Sequence, residues 1–279
     1  MTYKTILVSL NDLERNQTLL ESAAGLAREM DALLRGIYVI PAVEIYGSFG
    51  FEPIIFEGNQ QLFTNAEKSV RLAFDSARES HGVRGDMIVI NSNTPDITDH
   101  VVQRTRFADI AIINQPPEGS GLSVVGRGFV ERVLLTTGRP TLVLPRKGRT
   151  SLAADLAVVA WSGTREAARA AFDSIPLLKR TKKVEVVWVD PEMNYPHPGG
   201  LPGGELAAAL SSHGINTEIH PVSTGGTEAG EALLNAVANR AAELLVMGAY
   251  GHSRISEMIL GGATKSVLEG MNCPVLFSH

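Results

Sequence analysis

The chain has 279 residues, of which 44% are hydrophobic and 20% are charged, and its formal net charge is -5. This length predicts two domains of about 140 residues, and the composition is typical of a globular protein rather than a disordered one. The negative charge and the lack of any Lys/Arg run argue against a nucleic-acid partner, because binding to phosphates requires clustered cations.

The single cysteine, Cys273, excludes an intrachain disulfide framework and indicates a reducing compartment. The first residues do not have the apolar run of a signal peptide, and no segment approaches the roughly 18 apolar residues that a membrane helix needs. We therefore expect a cytoplasmic protein with no membrane partner.

Short apolar strands alternate with helical stretches through the first half of the chain. The predicted order is a strand over 5–10, a helix over 19–34, a strand over 35–40, a helix near 59–81, a strand over 86–90, a helix near 96–106, a strand over 109–113, a helix near 129–136 and a strand over 140–145. Strands joined by helices form a parallel sheet that is covered on both faces.

An aromatic insertion over 41–60 follows the second strand, and the segment over 190–205 takes the same place in the second half. Both are predicted loops beyond the carboxyl ends of the strands, where open parallel sheets bind ligands. The apolar cluster within 43–58 either packs as core or contacts a partner, and the sequence leaves both alternatives open.

The same order restarts after a polar connector over 146–155. Predicted strands over 156–161, 184–189, 217–222, 242–248 and 274–278 alternate with helices, the first of them over 165–179. Pro140 and Pro274 open the last strand of each half, so we interpret the halves as duplicates with domains over 1–149 and 150–279. We expect the halves to pack as an internal pseudo-dimer through these last strands, which would otherwise leave exposed edges.

A glycine motif follows the fourth strand of the second half. Gly248 and Gly251 are followed, after nine residues, by Gly261 and Gly262, which gives the pattern GxxGx9GG. Such glycines allow a ligand to approach the backbone, and the amides that begin the next helix bind anions, so a triphosphate is one candidate ligand. A Walker loop is excluded because Thr264 takes the place of the required Gly. A loop whose glycines only relieve turn strain explains the spacing equally well.

With these features the chain resembles a tandem member of the universal stress protein family. The resemblance covers nearly all residues and occurs once in each half. Adenine-nucleotide-binding members of that family carry GxxGx9G followed by Ser or Thr after the fourth strand. The resemblance implies two doubly wound five-stranded sheets, ATP as the ligand, a protein partner and a homodimer of tandem chains. The residues that it implies for nucleotide binding are Ser162, Val189, Met247, Gly248, Gly251, Gly261, Gly262, Ala263 and Thr264.

The second half departs from the family pattern at two places. Gly262 stands where the family has a hydroxyl, so Thr264 or Ser266 would have to replace that phosphate contact. Losing one charge-assisted hydrogen bond lowers affinity by roughly tenfold to a hundredfold. Ser162 stands where the family has an Asp at the end of the first strand, where adenine or ribose would be recognised.

The first half departs further. Asn11 takes the place of the same Asp, and Asn114 and Pro117 stand where the second half has Gly248 and Gly251. Proline has no amide to donate, and its fixed φ sends the loop on another path. We therefore expect no triphosphate site in this half.

Two alternatives accompany nucleotide binding. The chain is an interaction scaffold that has lost its nucleotide, or an adenylating enzyme that uses the loop over 161–166, although Ser162 and Thr164 are more simply read as a helix start and N-cap. At most slow ATP hydrolysis is expected, with Glu257 or Asp190 activating water. No metal is assigned, because His197, His213 and His220 lack ligand spacing.

Overall fold

The structure is a computed structural model that describes residues 2–46, 54–56, 58–118, 124–190, 203–250 and 262–279. It divides into two compact units. The N-terminal unit comprises Tyr3–Thr137, and the C-terminal unit comprises Gly138–His279 with the first two residues. The last strand of the first half therefore belongs to the C-terminal unit, although the sequence repeat restarts near residue 150.

The N-terminal unit contains a parallel sheet of four strands. Its elements are β1 (Thr5–Ser9), α1 (Asn16–Met30), β2 (Leu33–Ile40), β3 (Glu44–Tyr46), β4 (Ile54–Phe56), α2 (Gly58–Ser80), β5 (Gly85–Asn91), α3 (Thr98–Thr105), β6 (Ile110–Asn114) and α4 (Arg127–Thr136). The sheet order is β6-β1-β2-β5. Strands β3 and β4 form a separate antiparallel pair inside the segment that was predicted to be a loop.

The C-terminal unit contains six strands. Its elements are β7 (Thr141–Leu144), β8 (Leu156–Ala160), α5 (Arg165–Asp173), α6 (Ile175–Leu178), β9 (Lys183–Val189), α7 (Gly204–Ser212), β10 (Thr217–Val222), α8 (Ala229–Asn239), β11 (Leu244–Gly248), α9 (Gly262–Gly270) and β12 (Val275–Ser278). The order is β10-β9-β8-β11-β12-β7, and only the β12–β7 pairing is antiparallel. Within this unit, Val275 lies opposite Val143, so the two predicted last strands pair with each other.

These elements confirm the predicted α/β fold with five strands from each half. Inner strands such as β12 are buried at every position, whereas the outer strands β5 and β10 are partly exposed. This difference explains why the inner strands read as continuous apolar runs. In the described part of the chain, no helix is long and apolar enough to cross a membrane.

Two helix boundaries differ from the predictions. The helix predicted over 19–34 is α1, which ends at Met30 because Asp31 adopts a left-handed conformation with φ 51° and caps it. The helix predicted over 165–179 divides into α5 and α6 at Ser174, since Pro176 has no N–H to continue the helical hydrogen bonds and occupies the first turn of α6.

The strand order of the C-terminal unit places a crevice at the carboxyl end of β8. The chain runs outward from β8 through β9 to β10 and then crosses to β11 on the other side of β8, so the order reverses at this strand. Open α/β sheets bind ligands at such a reversal, beyond the carboxyl ends of the strands. The residues that follow β8, β9 and β11 are therefore the ones to examine for a site.

Candidate functional site

A cavity of about 330 Å³ opens at this reversal in the C-terminal unit, and we call it the C-terminal cavity. Its walls are the ends of β8, β9 and β11, together with the starts of α5, α8 and α9. Seven residues of the predicted nucleotide site line it: Ser162, Val189, Met247, Gly248, Gly262, Ala263 and Thr264. The other two, Gly251 and Gly261, lie outside the described residues. So do the alternative water-activating Glu257, residues 47–53 and 57 of the first insertion, and residues 191–202 of the second.

Both tryptophans of the chain line the C-terminal cavity. Trp161 directly follows β8, and its amide donates to the Val187 carbonyl at 2.8 Å. Trp188 lies in β9 and packs edge-to-face with Trp161, with ring centroids 6.4 Å apart and planes at 87°. Large aromatic faces at a cavity wall suit a flat ring ligand. The sequence analysis missed both residues, although a tryptophan at the end of a strand followed by Ser-Gly was an available signal.

Gly248 ends β11 against the start of α5. A Cβ at this position would lie 2.6 Å from both the Ala167 amide nitrogen and the Glu166 carbonyl carbon, closer than Cβ atoms occur in proteins. Gly230 likewise allows α8 to pack closely against α9, because a Cβ at this position would lie 2.7 Å from Cβ of Ser266. These two glycines are required by the packing of helices, whatever the cavity binds.

The hydroxyls near the start of α9 have different partners. The Tyr250 amide donates to Thr264 Oγ1 at 3.2 Å, which leaves the hydroxyl proton of Thr264 available to a ligand in the cavity. Ser266 donates to the Gly262 carbonyl at 2.9 Å, within its own helix. Of the two residues that the sequence offered as replacements for the family hydroxyl, Thr264 is the one that lines the cavity.

The start of α5 confirms the predicted cap. Thr164 Oγ1 accepts from the Ala167 amide at 3.3 Å, and it also lies 3.2 Å from Ser162 Oγ. This capping interaction is the simpler reading that the sequence gave for the loop over 161–166.

Glu166 places a carboxylate in the cavity wall. The residue is 5% exposed and pairs with Arg165, whose side chain is 82% exposed. Burial acts to raise the pKa of Glu166, but hydrogen bonds from Arg165 and Thr164 and the charge of Arg165 hold that pKa below its usual value. The wall therefore carries a negative charge near neutral pH.

The other carboxylate considered for water activation, Asp190, lies outside the cavity lining. Both of its oxygens accept from Thr224, the first from the amide at 3.0 Å and the second from the hydroxyl at 2.7 Å. These hydrogen bonds lower the pKa of Asp190. The carboxylate thus anchors the end of β10 rather than facing the candidate site.

The equivalent region of the N-terminal unit is organised differently. The Asn11 side chain donates to the Val39 carbonyl at 2.6 Å and accepts from the Val39 amide at 3.0 Å. It therefore ties β1 to β2 instead of facing a ligand. Asn114, at the position of Gly248, is 7% exposed, and neither polar atom of its side chain has a hydrogen-bond partner within the described residues.

Three side chains that the sequence did not connect lie together on β9 and β10. Glu185, Glu218 and His220 place one ligand atom each within 4.8 Å of the others. Lys183 bridges the two carboxylates at 3.1 Å and 2.8 Å, and Arg240 pairs with Glu185 at 2.7 Å. Two cations already balance the two carboxylates, so the group is arranged as an ion-pair network.

Comparisons with known proteins match a family over the C-terminal half and a fold over the whole chain. Residues 156–279 match the model of the universal stress protein family. A universal stress protein from Archaeoglobus fulgidus DSM 4304 aligns with 98% of this chain and 95% of its own, at TM-score 0.74 and 17% identity. A functionally unknown protein from Pseudomonas aeruginosa PAO1 aligns with 99% of this chain and 92% of its own, at TM-score 0.59 and 13% identity. A search of curated proteins gave no match. At these identities the two structures show a shared fold for the whole chain.

Proposed function

We propose, from the match of residues 156–279 to the universal stress protein family, that the C-terminal cavity binds an adenine nucleotide. The chain would then be a stress-response protein that acts through nucleotide-dependent interaction with a protein partner. ATP is the nucleotide that the resemblance to this family implies. Cytoplasmic location, the domain division at residues 149 and 150, and a homodimer of tandem chains are parts of the same proposal.

The observation that carries this proposal is the position of the cavity. It lies where the strand order reverses, and seven residues that the sequence had assigned to the nucleotide line it. These residues come from four separate stretches of chain. We would not expect a cavity unrelated to the nucleotide to be lined by all four. The two tryptophans add aromatic surface for the adenine ring.

The cavity walls divide into a base side and a phosphate side. Val189 ends β9 beside the tryptophans, and its backbone would meet the adenine ring. Gly262 and Ala263 begin α9 on the opposite wall, where helix amides without an intrahelical partner can bind a phosphate. Thr264 would add its hydroxyl proton.

A substitution that fills the phosphate side tests the proposal. Among the described residues, a Cβ at Gly262 would have only Glu228 Oε2 nearby, at 3.9 Å, so Gly262→Leu should fold normally while occupying the cavity. The matched control is Gly128→Leu, which places the same side chain in the first turn of α4, where a Cβ would meet no atom of the described chain within 4 Å.

Calorimetric titration of the full chain with AMP and with ATP provides the measurement. We expect saturable heat for the parent chain and for Gly128→Leu, and at least about a tenfold loss of affinity for Gly262→Leu. No saturable heat for either nucleotide at millimolar concentration would favour the interaction scaffold. Equal affinity in Gly262→Leu would place the nucleotide elsewhere.

The adenylating alternative has a separate test. An adenylating enzyme releases pyrophosphate from ATP when an acceptor is present, whereas the proposed function predicts no pyrophosphate release. Light scattering of the purified chain tests the homodimer directly, since a tandem chain of 29.9 kDa would double its mass.

A further inference from the structure

Three polar side chains around the start of α5 form a hydrogen-bonded chain in the wall of the C-terminal cavity. They are Ser162, Thr164 and Glu166, and all three line the cavity. The hydroxyl oxygen of Thr164 lies 3.2 Å from the hydroxyl oxygen of Ser162 and 3.3 Å from the amide nitrogen of Ala167. The Thr164 side chain also hydrogen-bonds to the carboxylate of Glu166, which is buried.

The charge of Glu166 decides the direction of these hydrogen bonds. Burial acts to raise the pKa of Glu166, but hydrogen bonds from Arg165 and Thr164 and the charge of Arg165 hold that pKa below its usual value. Near neutral pH the group is therefore an ionised carboxylate, which accepts hydrogen bonds and donates none. Thr164 has one hydroxyl proton, and it donates this proton to Glu166, because a hydrogen bond to a charged group is stronger than one between two neutral hydroxyls.

This assignment also fixes the hydroxyl of Ser162. Since the proton of Thr164 is used by Glu166, the contact of 3.2 Å between the two hydroxyl oxygens requires Ser162 to donate. Thr164 Oγ1 then accepts from Ser162 and from the Ala167 amide, which uses both of its lone pairs. Ser162 is exposed and lines the cavity, so its oxygen offers a ligand lone pairs but no proton.

Ser162 lies between the base side and the phosphate side of the cavity. It follows β8, whose neighbours in the sheet are β9, which ends at the base side, and β11, which precedes the phosphate-side helix α9. A nucleotide that extends from one side to the other places its sugar at the end of β8. The group that meets Ser162 is therefore a sugar hydroxyl, which can donate to it.

We propose that Thr164 and Glu166 are positioning residues that hold Ser162 Oγ as a hydrogen-bond acceptor, and that Ser162 selects ligands which present a sugar hydroxyl. This inference rests on the proposed function, since it concerns a ligand of the same cavity. It assigns a direction to the hydrogen bond: the sugar donates and the protein accepts.

Calorimetric affinities of the full chain for AMP, 2′-deoxy-AMP and 3′-deoxy-AMP test the inference. The three compounds have the same base and the same charge, so their relative affinities report the sugar hydroxyls alone. We expect one of the two deoxy compounds to bind the parent chain about threefold to tenfold more weakly than AMP, as the loss of one hydrogen bond predicts. We call this factor the hydroxyl ratio.

Variants of Ser162 test the direction of the hydrogen bond. Ser162→Ala removes the acceptor and should bring the hydroxyl ratio to about one, because no partner remains for the sugar hydroxyl. Ser162→Asp provides a carboxylate that only accepts near neutral pH, so it should retain the hydroxyl ratio.

Variants of Thr164 test the positioning role. Thr164→Val removes the partner that fixes the Ser162 proton and should reduce the hydroxyl ratio by at least about twofold, because the Ser162 hydroxyl is then free to rotate. Thr164→Ser keeps both the hydroxyl and the helix cap and should restore the parental hydroxyl ratio. Loss of the cap alone would weaken all three compounds together and leave the hydroxyl ratio unchanged.

Ser211→Ala is the matched control. Ser211 in α7 forms a hydroxyl pair with Thr217 in β10, with their oxygens 2.8 Å apart, in the same unit of the chain. Neither residue lines the cavity. The control removes an equivalent hydroxyl from an equivalent pair and should leave the hydroxyl ratio unchanged.

The outcomes separate the inference from the proposed function. Equal binding of AMP and both deoxy compounds by the parent chain would overturn the inference and leave the proposed function standing. So would a parental hydroxyl ratio in Ser162→Ala or in Thr164→Val. A hydroxyl ratio of one in Ser162→Asp, with AMP still bound, would show that Ser162 donates and would overturn the assigned direction. Absence of AMP binding by the parent chain would overturn the proposed function, and the inference with it.

Discussion

Gly248 gives the sharpest test of whether a motif glycine is required by packing or by a ligand. Gly248→Ala adds one methyl group at a point 2.6 Å from two backbone atoms of α5. Ordinary contact begins near 3.4 Å, so the helix start and the strand end must separate by about 0.8 Å. Overpacking of this kind destabilises a protein by about 1–3 kcal/mol. For a unit of this size the corresponding fall in Tm is about 2–12 °C.

Urea unfolding followed by tryptophan fluorescence is the appropriate assay. Trp161 and Trp188 both belong to the C-terminal unit, so the signal reports the unfolding of that unit. Gly262→Ala is the matched control, because it adds the same methyl group at the same cavity, where no atom of the described residues lies closer than 3.9 Å. It should change stability by less than about 0.5 kcal/mol.

The two possible roles of Gly248 predict different results. If packing requires the glycine, Gly248→Ala lowers the unfolding midpoint even when no ligand is present. A loss of stability below about 0.5 kcal/mol would refute the packing argument. Unchanged stability combined with lost nucleotide binding would return Gly248 to the role that the sequence motif suggested.

Three further predictions concern other parts of the chain. Cys273 is buried, and burial raises its pKa to about 11, so iodoacetamide should leave it unmodified in the native protein and label one thiol per chain in denaturant. Asn11→Ala should lower the stability measured by calorimetry by about 2–4 kcal/mol, because it leaves the buried amide and carbonyl of Val39 without partners; a change under about 0.5 kcal/mol would contradict this. Burial acts to raise the pKa of Asp96, but hydrogen bonds from Thr98 and the charge of Arg132 hold that pKa below its usual value. The ionised carboxylate therefore stabilises the fold fully above about pH 4, and this stabilisation is lost as the pH falls through the lower folded-state pKa. Asp96→Asn should therefore lower Tm at about pH 7 and not at about pH 2, and an equal effect at both pH values would disprove the assignment.

The strands could be predicted because a strand that is buried on both faces has a continuous run of apolar residues in the sequence. The helix ends were harder to predict, because the left-handed conformation of Asp31 is one of several that its local sequence permits. At the site, Ser162, Val189 and Gly248 were assigned through the resemblance to a known family. The fold brings them together because parallel strands place their carboxyl ends at one edge of the sheet.

The remaining features of the site depend on tertiary packing. The burial of Glu166 and the contact of Gly248 with α5 arise where a helix crosses a strand that is distant in sequence. Trp161 and Trp188 read as core residues because an apolar side chain in a strand is usually one. Their common exposure to a cavity follows from the pairing of β8 with β9, which the sequence pattern did not specify.

Titration of tryptophan fluorescence with AMP tests the central claim most directly, because Trp161 and Trp188 both line the cavity and the chain has no other tryptophan. The variants Trp161→Phe and Trp188→Phe each leave one reporter on a different strand. We predict that AMP changes the fluorescence of both variants, and that each binding curve saturates at one equivalent per chain. A fluorescence that stays constant in both variants while AMP binding is detected by equilibrium dialysis, or the absence of any AMP binding, would contradict the assignment of this cavity as the nucleotide site.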